Sequence, residues 1–476
     1  MGRARIELQL PRFLGDVGSI VREKRLRRFE VLTSAQVEDV HKATLDVLAS
    51  VFAYLRNLAR ERTAMRNLKL VSAEGPREEA YNLFSGMWLH PWDVLNEGVD
   101  NVLENIRNAG INTVNLAASY HTGMYLLEHN SHNRLVFAEE GVVYFKPELS
   151  MYGSLKPAQS KRSSLILLDE VTDRAENCDM DVVAWTVLLH NTRLATEYPD
   201  AATKTVDGDT NINSLCPNNP DVRGYLLNLV DDIASNHHVK GIQLESPSYP
   251  EGIAHGYHHE LHSKPLTPTA SLILSSCFCE HCVKKAKQLG LNLEETRKGV
   301  TRVLGNWAST SSRTLSEIPP EDQCAAFAVA LSTEPSLKEL VRFRALVMEE
   351  VLSEIRQRVG DKTHLYYLTP PPSTPFQENF DYGVFKSHVD AVQVLSYSSN
   401  PARVYQDVAW SRLLIPRDCE LHVGLKTSHP EADTDELIMA EIESAHAAGS
   451  DGFCFYSYGL TALTLFPAIR QALSKV

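Results

Sequence analysis

Eight short apolar runs, each ending abruptly at polar or aromatic residues, restrict what this chain can fold into more than any other feature of it. Four lie in the first half. Leu83–Trp88 runs into His90-Pro91-Trp92-Asp93, and Ile111–Leu116 into Ala117-Ala118-Ser119-Tyr120-His121. Val182–Leu189 ends at His190-Asn191, and Val239–Leu244 at Glu245-Ser246-Pro247. Four more close the sequence: His364–Leu368 before Thr369-Pro370, Ala391–Leu395 before Ser396-Tyr397-Ser398, Leu421–Leu425 before Lys426-Thr427-Ser428-His429, and Gly452–Phe455 before Tyr456-Ser457-Tyr458-Gly459. Runs this short suit strands covered on both faces, as in a parallel sheet, because a strand with one wet face would alternate.

Helical patterns separate several of the runs. Val94–Ala109 carries Val99, Val102, Leu103 and Ile106 on one stripe and stops at Gly110. Pro220 leads into Val222–Ala234, and Leu337–Val359 precedes the fifth run. Eight strands alternating with helices are what a (β/α)8 barrel requires. The expected fold class is therefore α/β, a TIM barrel over residues 79–476 with loop insertions at about 122–178 and 246–345 and an N-terminal helical extension.

That extension, residues 1–78, differs in charge from the rest. Residues 1–70 hold 14 Lys/Arg against 8 Asp/Glu, a surplus of +6 on a chain whose net charge is −13. Thr33 and Gln36 have capping-box spacing, and Val37, Val40, Leu48, Val51, Phe52 and Leu55 recur at helical intervals. A basic segment on an acidic body suggests a separate module, an intersubunit arm of a homo-oligomer, or a targeting sequence. The acidic balance argues against nucleic acid as a partner. No run approaches the roughly 18 apolar residues of a membrane span. The N-terminus lacks a secretory apolar core, and Ile6 stands where a myristoylation signal needs Ser or Thr. Of eight cysteines, Cys454 sits inside an apolar run and Cys419 just before one, as core residues do. A reduced, cytoplasmic protein is the expectation. Dinucleotide, P-loop and serine-hydrolase signatures are missing from the sequence.

Chemistry in such barrels sits on the loops leaving the C-terminal strand ends. Glu245 ends the fourth run, where a partly desolvated carboxylate can serve as a general acid; the bland alternative is a solvated loop glutamate or a partner for Lys or Arg. Glycoside cleavage needs a second carboxylate across the scissile bond. Candidates are Asp93, Asp207, Asp209, Glu431 and Asp433, with Asp93 and Glu431 foremost, although Glu431 can equally cap a helix starting near Thr434. Trp92, Tyr120, Tyr397, Tyr456 and Tyr458 bring flat apolar faces to the same rim, which suit sugar rings. His90, His121, His190 and His429, with Asn191 and Lys426, supply polar groups that could orient hydroxyls or bind a metal. The H-x-H of a metal-dependent amidohydrolase is absent, since Trp88 stands two residues before His90. The expected substrate is a small molecule or an oligosaccharide, with no cofactor required.

Cys277-Phe278-Cys279-Glu280-His281-Cys282 is dense enough to need its own explanation. C-x-C-x2-C offers Cys277, Cys279 and Cys282 to a structural zinc ion, with His281 or a distant residue such as Cys216 as fourth ligand. The alternative is a helix-start loop with buried thiols. His255, His258, His259 and His262 have partial helical spacing, but Gly256 and nearby prolines favour a polar insertion.

Several pieces together resemble the uncharacterised glycosyl-hydrolase-like TIM barrels, the hypothetical glycosyl hydrolase type. They are Gly86-Met87-Trp88, Cys216-Pro217-Asn218-Asn219-Pro220, Gly241-Ile242-Gln243-Leu244-Glu245, Cys277–Cys282 and Gly452–Gly459, spanning residues 80–476. The resemblance implies a TIM barrel and glycoside hydrolysis, with Glu245 as acid/base after strand four. A nucleophile glutamate ending strand seven, which retaining enzymes of that group carry, is replaced by Lys426. Residues 31–51 resemble the N-terminal helix of trimethylamine methyltransferases, which implies a corrinoid-linked methyltransferase-like barrel instead. A non-catalytic carbohydrate-binding barrel is the third reading.

Overall fold

The computed structural model describes residues 83–130, 132–162, 166–247, 249–250, 262–372 and 382–476. The N-terminal segment, including Thr33, Gln36 and the stretch 31–51, lies outside the described residues, as do His255, His258 and His259.

Eight parallel strands form a closed ring. They are β1 Phe84–Leu89, β2 Thr113–Tyr120, β3 Asp181–Val187, β4 Gly241–Glu245, β5 His364–Thr369, β6 Ala391–Leu395, β7 Glu420–Lys426 and β8 Gly452–Tyr456. Each pairs with its sequence neighbour, and β1 pairs with both β2 and β8, which shuts the barrel. The eight apolar runs are these eight strands. Their pairing continues past the apolar residues, so Tyr120, Thr369, Lys426 and Tyr456 are strand residues rather than loop residues. In β2 the extra length has a local cause: Ser119 and Tyr120 gain antiparallel partners in Val143 and Val142.

Alternation divides the side chains into two cores. Met87, Leu89, Val114, Leu116, Ile242, Leu244, Val392, Val394, Val423, Leu425, Phe453 and Phe455 face outward and pack in one large cluster with the helices. Trp88, Ala117, Trp185, Val187, Leu368 and Cys454 face inward and form a second. Glycines make room for the large inward rings. A Cβ on Gly424 would lie 2.9 Å from the Trp88 ring and 2.9 Å from Leu395, and one on Gly241 would sit 2.4 Å from the His364 carbonyl oxygen.

The expected helix over 94–109 is two helices, Pro91–Glu97 and Val99–Asn108, because Gly98 between them takes a left-handed φ of 85°. Helices Pro220–Asn236, Pro335–Val359 and Asp435–Ala448 pack as the patterns foretell, the last capped by Thr434. Residues 122–178 contain a hairpin (Gly123–Leu126 with Leu135–Ala138) and the helix Leu167–Glu176, which buries Leu167, Leu168 and Val171 against the barrel. The long connection after β4 holds the helices Pro268–Ser275, Glu280–Gln288, Leu293–Ser309, Ser312–Ser316 and Pro320–Thr333. Among the described residues no helix is long and apolar enough to cross a membrane.

Substituting Gly241→Ala tests the inward packing. The clash is with backbone, which cannot swing aside, so about 1–3 kcal/mol of stability should be lost. A urea midpoint that falls with an unchanged slope would show it; an unshifted midpoint would mean that β4 and β5 have slack.

Candidate active site

An inward side chain from the C-terminal half of every barrel strand points at one cavity. Trp88, Tyr120, Trp185, Glu245, Leu368, Leu395, Lys426 and Tyr456 come from β1 to β8 in order, and His121, Tyr125 and Tyr397 complete the lining. Its volume is about 320 Å³, within the range of small-molecule sites. The chemistry-bearing positions follow from the fold: the C-terminal part of a strand directs its inward side chains towards the barrel mouth.

Glu245 is fixed from two sides. Its Oε2 accepts the indole N–H of Trp185 at 2.6 Å, and its Oε1 lies 3.9 Å from His121 Nε2. The side chain keeps 16% exposure, enough to meet a ligand. His121 Nδ1 is 2.7 Å from the Thr122 carbonyl oxygen, so that nitrogen carries a proton and Nε2 is the atom turned to Glu245. The imidazole is stacked between Tyr120 and His190, with centroids 4.4 and 4.5 Å away. After Glu245 the chain turns at once, with Ser246 buried at a left-handed φ of 50°. Leu188 and Leu189 still donate to the Glu245 and Ser246 carbonyls.

Tyrosines build the wall facing this carboxylate. Tyr125 Oη donates to Tyr120 Oη at 2.9 Å, and Tyr456 closes the group. Burial pushes the Tyr120, Tyr125 and Tyr456 phenols above the ordinary tyrosine value, and the charge on Glu245 adds to it. They remain protonated hydrogen-bond donors. Below them the Trp88 indole donates to Gln243 Oε1 at 2.7 Å, and the Gln243 amide contacts Gln393.

The other anticipated residues divide sharply. His90 sits one layer behind the wall, stacked on Trp92 at 4.5 Å and edge-on to Tyr120 and Trp185 at 5.2 Å. Burial lowers its pKa to about 3, helped by nearby His121, so it is a neutral ring. Asp93 is 0% exposed and accepts the His90 backbone N–H at 3.0 Å as part of the helix Pro91–Glu97. Burial raises its pKa to about 8, against that hydrogen bond. Glu431 lies 2.7 Å from the Lys426 ammonium, at the edge of the cavity. Neither Asp93 nor Glu431 is among the lining residues.

Others stand apart from the lining, among them His190, which stacks on His121. Tyr458 is buried and braces Glu97 and Asn105 through its hydroxyl at 2.9 and 3.0 Å. Asn191 caps the helix Thr192–Glu197 by accepting the Leu194 N–H. His429 is 84% exposed and faces Asp433, while Trp92 packs on Tyr125. Asp207 and Asp209 are exposed. Conversely, Trp185, Tyr125, Leu368 and Leu395 line the cavity without having been singled out. Trp185 lies mid-run, where only the strand register tells inward from outward, and Tyr125 sits on an insertion without a readable period.

The thiols lie elsewhere. Cys277, Cys279 and Cys282 converge with Cys216, while His281 turns its Nε2 toward the Asn219 amide at 3.4 Å. None of them lines the cavity.

The sequence matches no protein-family profile and no curated protein. Solved structures with a similar fold include the catalytic domain of β-amylase from Paenibacillus polymyxa, with a TM-score of 0.50 and 12% identity over 83% of this chain and 98% of that one. α-L-Fucosidase isoenzyme 2 from Paenibacillus thiaminolyticus gives 0.49 and 11% over 83% of this chain and 49% of that one. β-Galactosidase from the psychrophilic Marinomonas ef1 gives 0.49 and 11% over 83% and 59%. The chain thus spans about half the fucosidase and three-fifths of the galactosidase. At 12% identity the likeness to the β-amylase domain is one of fold: a (β/α)8 barrel.

Proposed function

We propose that this chain is a glycoside-cleaving barrel in which Glu245 is the acid/base carboxylate. The reading rests on one observation: a carboxylate held by an indole N–H at 2.6 Å opens into a cavity walled by Trp88, Tyr120, Tyr125, Trp185, Tyr397 and Tyr456. Such walls suit the CH faces of a sugar ring, and protonated phenols suit its hydroxyls. Glu245 would protonate the leaving oxygen as the second carboxylate bonds to the anomeric carbon, and, as the conjugate base, would then take a proton from the water that displaces that carboxylate. Glu431, beside Lys426, is the better candidate for the second carboxylate, since a rotation of Lys426 would admit it, whereas Asp93 is sealed and held mainly protonated at neutral pH. The β-amylase domain of similar fold favours the same reaction class.

A second reading, sugar binding without turnover, is favoured by Glu245 being the sole carboxylate among the described residues that line the cavity. Glu245→Gln separates the two. For a hydrolase, release of reducing ends from an oligosaccharide and aryl-glycoside panel should fall about 10²- to 10⁴-fold while calorimetric affinity stays within a few-fold. Binding by the wild type with no cleavage of any glycoside would establish the non-catalytic reading. Trp185→Phe removes the donor to the charged form, so the limb of the kcat/KM profile due to Glu245 should move to higher pH.

Asp93 carries a separate, structural expectation. An acid whose folded pKa is raised to about 8 from 3.8 loses stability as pH climbs between those values. His90, lowered to about 3 from 6.5, has the opposite slope below 6.5, so the two offset there. Above 6.5 the loss from Asp93 is uncovered, joined by Glu441, which burial first and Glu431 second raise to about 8. Unfolding free energy should therefore drop from pH 6.5 to 8, by up to about 1.4 kcal/mol per pH unit for each group. Asp93→Asn should roughly halve that slope in urea titrations, and an unchanged slope would count against the burial of an uncharged carboxyl.

A further inference from the structure

We infer that Cys216, Cys277, Cys279 and Cys282 form a tetrathiolate site for one zinc ion, which fastens the insertion after Glu245 to the segment following β3. The four sulfurs all lie within 4.8 Å of one another. Cys216 Sγ is 3.5 Å from Cys279 and from Cys282, and 3.8 Å from Cys277. A tetrahedron with Zn–S bonds of about 2.3 Å separates its sulfurs by about 3.8 Å. An iron–sulfur cluster inserted between the thiolates would spread them further, so a mononuclear ion fits.

The ligands come from two elements. Cys216 directly follows the strand Thr210–Leu215 and precedes the helix Pro220–Asn236. Cys277 and Cys279 lie in the turn before the helix Glu280–Gln288, and Cys282 is in its first turn. Cys216, Cys277 and Cys282 are buried, which a closed structural site requires.

Four thiolates around a divalent ion carry two net negative charges, and the surroundings provide for them. The Lys204 backbone N–H and the Asn218 amide donate to Cys277 and Cys282, each at 3.3 Å, and Tyr249 Oη lies 3.4 Å from Cys282. The N-terminus of the helix Glu280–Gln288 begins at Cys279. Such donors to ligand sulfur are the usual outer shell of a metal–thiolate centre. A packing role alone would not call for donors aimed at sulfur. Tyr249 is four residues beyond Glu245 and also lies under the Arg344 guanidinium at 5.2 Å, so the site tethers the chain that leaves the candidate acid/base.

Metal analysis of the full chain, purified under reducing conditions from zinc-supplemented cells, should find about one zinc per protein. An organomercurial added to the native protein should release that zinc in step with the modification of four thiols. Cobalt substitution should give the sulfur-to-metal charge-transfer and strong d–d bands of a tetrahedral tetrathiolate. Cys216→Ser and Cys282→Ser should lose most of the zinc, whereas Cys178→Ser and His281→Ala keep it. If the serine variants fail to fold, the wild-type zinc release and cobalt spectrum still decide. Four free thiols that take up neither ion, disulfides among them, iron in place of zinc, or loss of zinc in His281→Ala would each overturn the assignment. None of these readouts depends on glycosidase activity.

Discussion

Closure of a parallel ring is the constraint from which the rest follows. Once β1 pairs with both β2 and β8, every strand must turn alternate side chains into one shared interior. An inward residue near the end of each strand then has nowhere to point but the mouth. A tryptophan, a tyrosine, a tryptophan, a glutamate, two leucines, a lysine and a tyrosine meet there because register demands it. The glycines at 241 and 424 are the converse of that crowding, since a ring this narrow holds Trp88 and Tyr366 only where a neighbour has no side chain.

Within a few ångströms of that mouth, burial sorts four titratable groups into different roles. His90 and Asp93 are enclosed, and each is driven to its neutral form, the imidazole by losing a proton and the carboxyl by keeping one. They act as packing and as the start of a helix. Glu245 and His121 remain 16% and 15% exposed and face each other at 3.9 Å. Proximity to the strand ends is thus insufficient for chemistry; the group must also reach solvent or ligand.

The barrel was legible because eight strands buried on both faces leave a signal that needs no distant information: apolar run, polar stop, helical stripe. Glu245 could be read for the same reason, as the first charged residue after such a run. The wall opposite it was only half legible. Tyr120, Tyr397 and Tyr456 end their runs and stand out, but Tyr125 is brought back by a hairpin, and Trp185 is inward only by the register with Gln243. Tyr458 shows the opposite failure. It follows β8 in sequence like a rim residue, yet its hydroxyl is drawn down to Glu97 and Asn105 on the outer helices. Cys216 was one of two options for completing the thiol set, because its partners lie more than sixty residues away and no local spacing links them.

An acid/base carboxylate must be held to within a fraction of an ångström to be useful, and one hydrogen bond does not achieve that. Glu245 is anchored on its N-terminal side by β4, paired to β3 through Val187. On its other side the chain leaves through Ser246, whose left-handed backbone is an arrangement that a non-glycine residue adopts only when its surroundings enforce it. Those surroundings include the Leu189 N–H on the Ser246 carbonyl and, three residues on, Tyr249 wedged between Arg344 and Cys282. A metal-bound thiolate cluster would make that second anchor as rigid as the sheet. The cysteines and the glutamate, which look like separate features of the sequence, would then be two ends of one device that holds the proposed acid/base carboxylate in place.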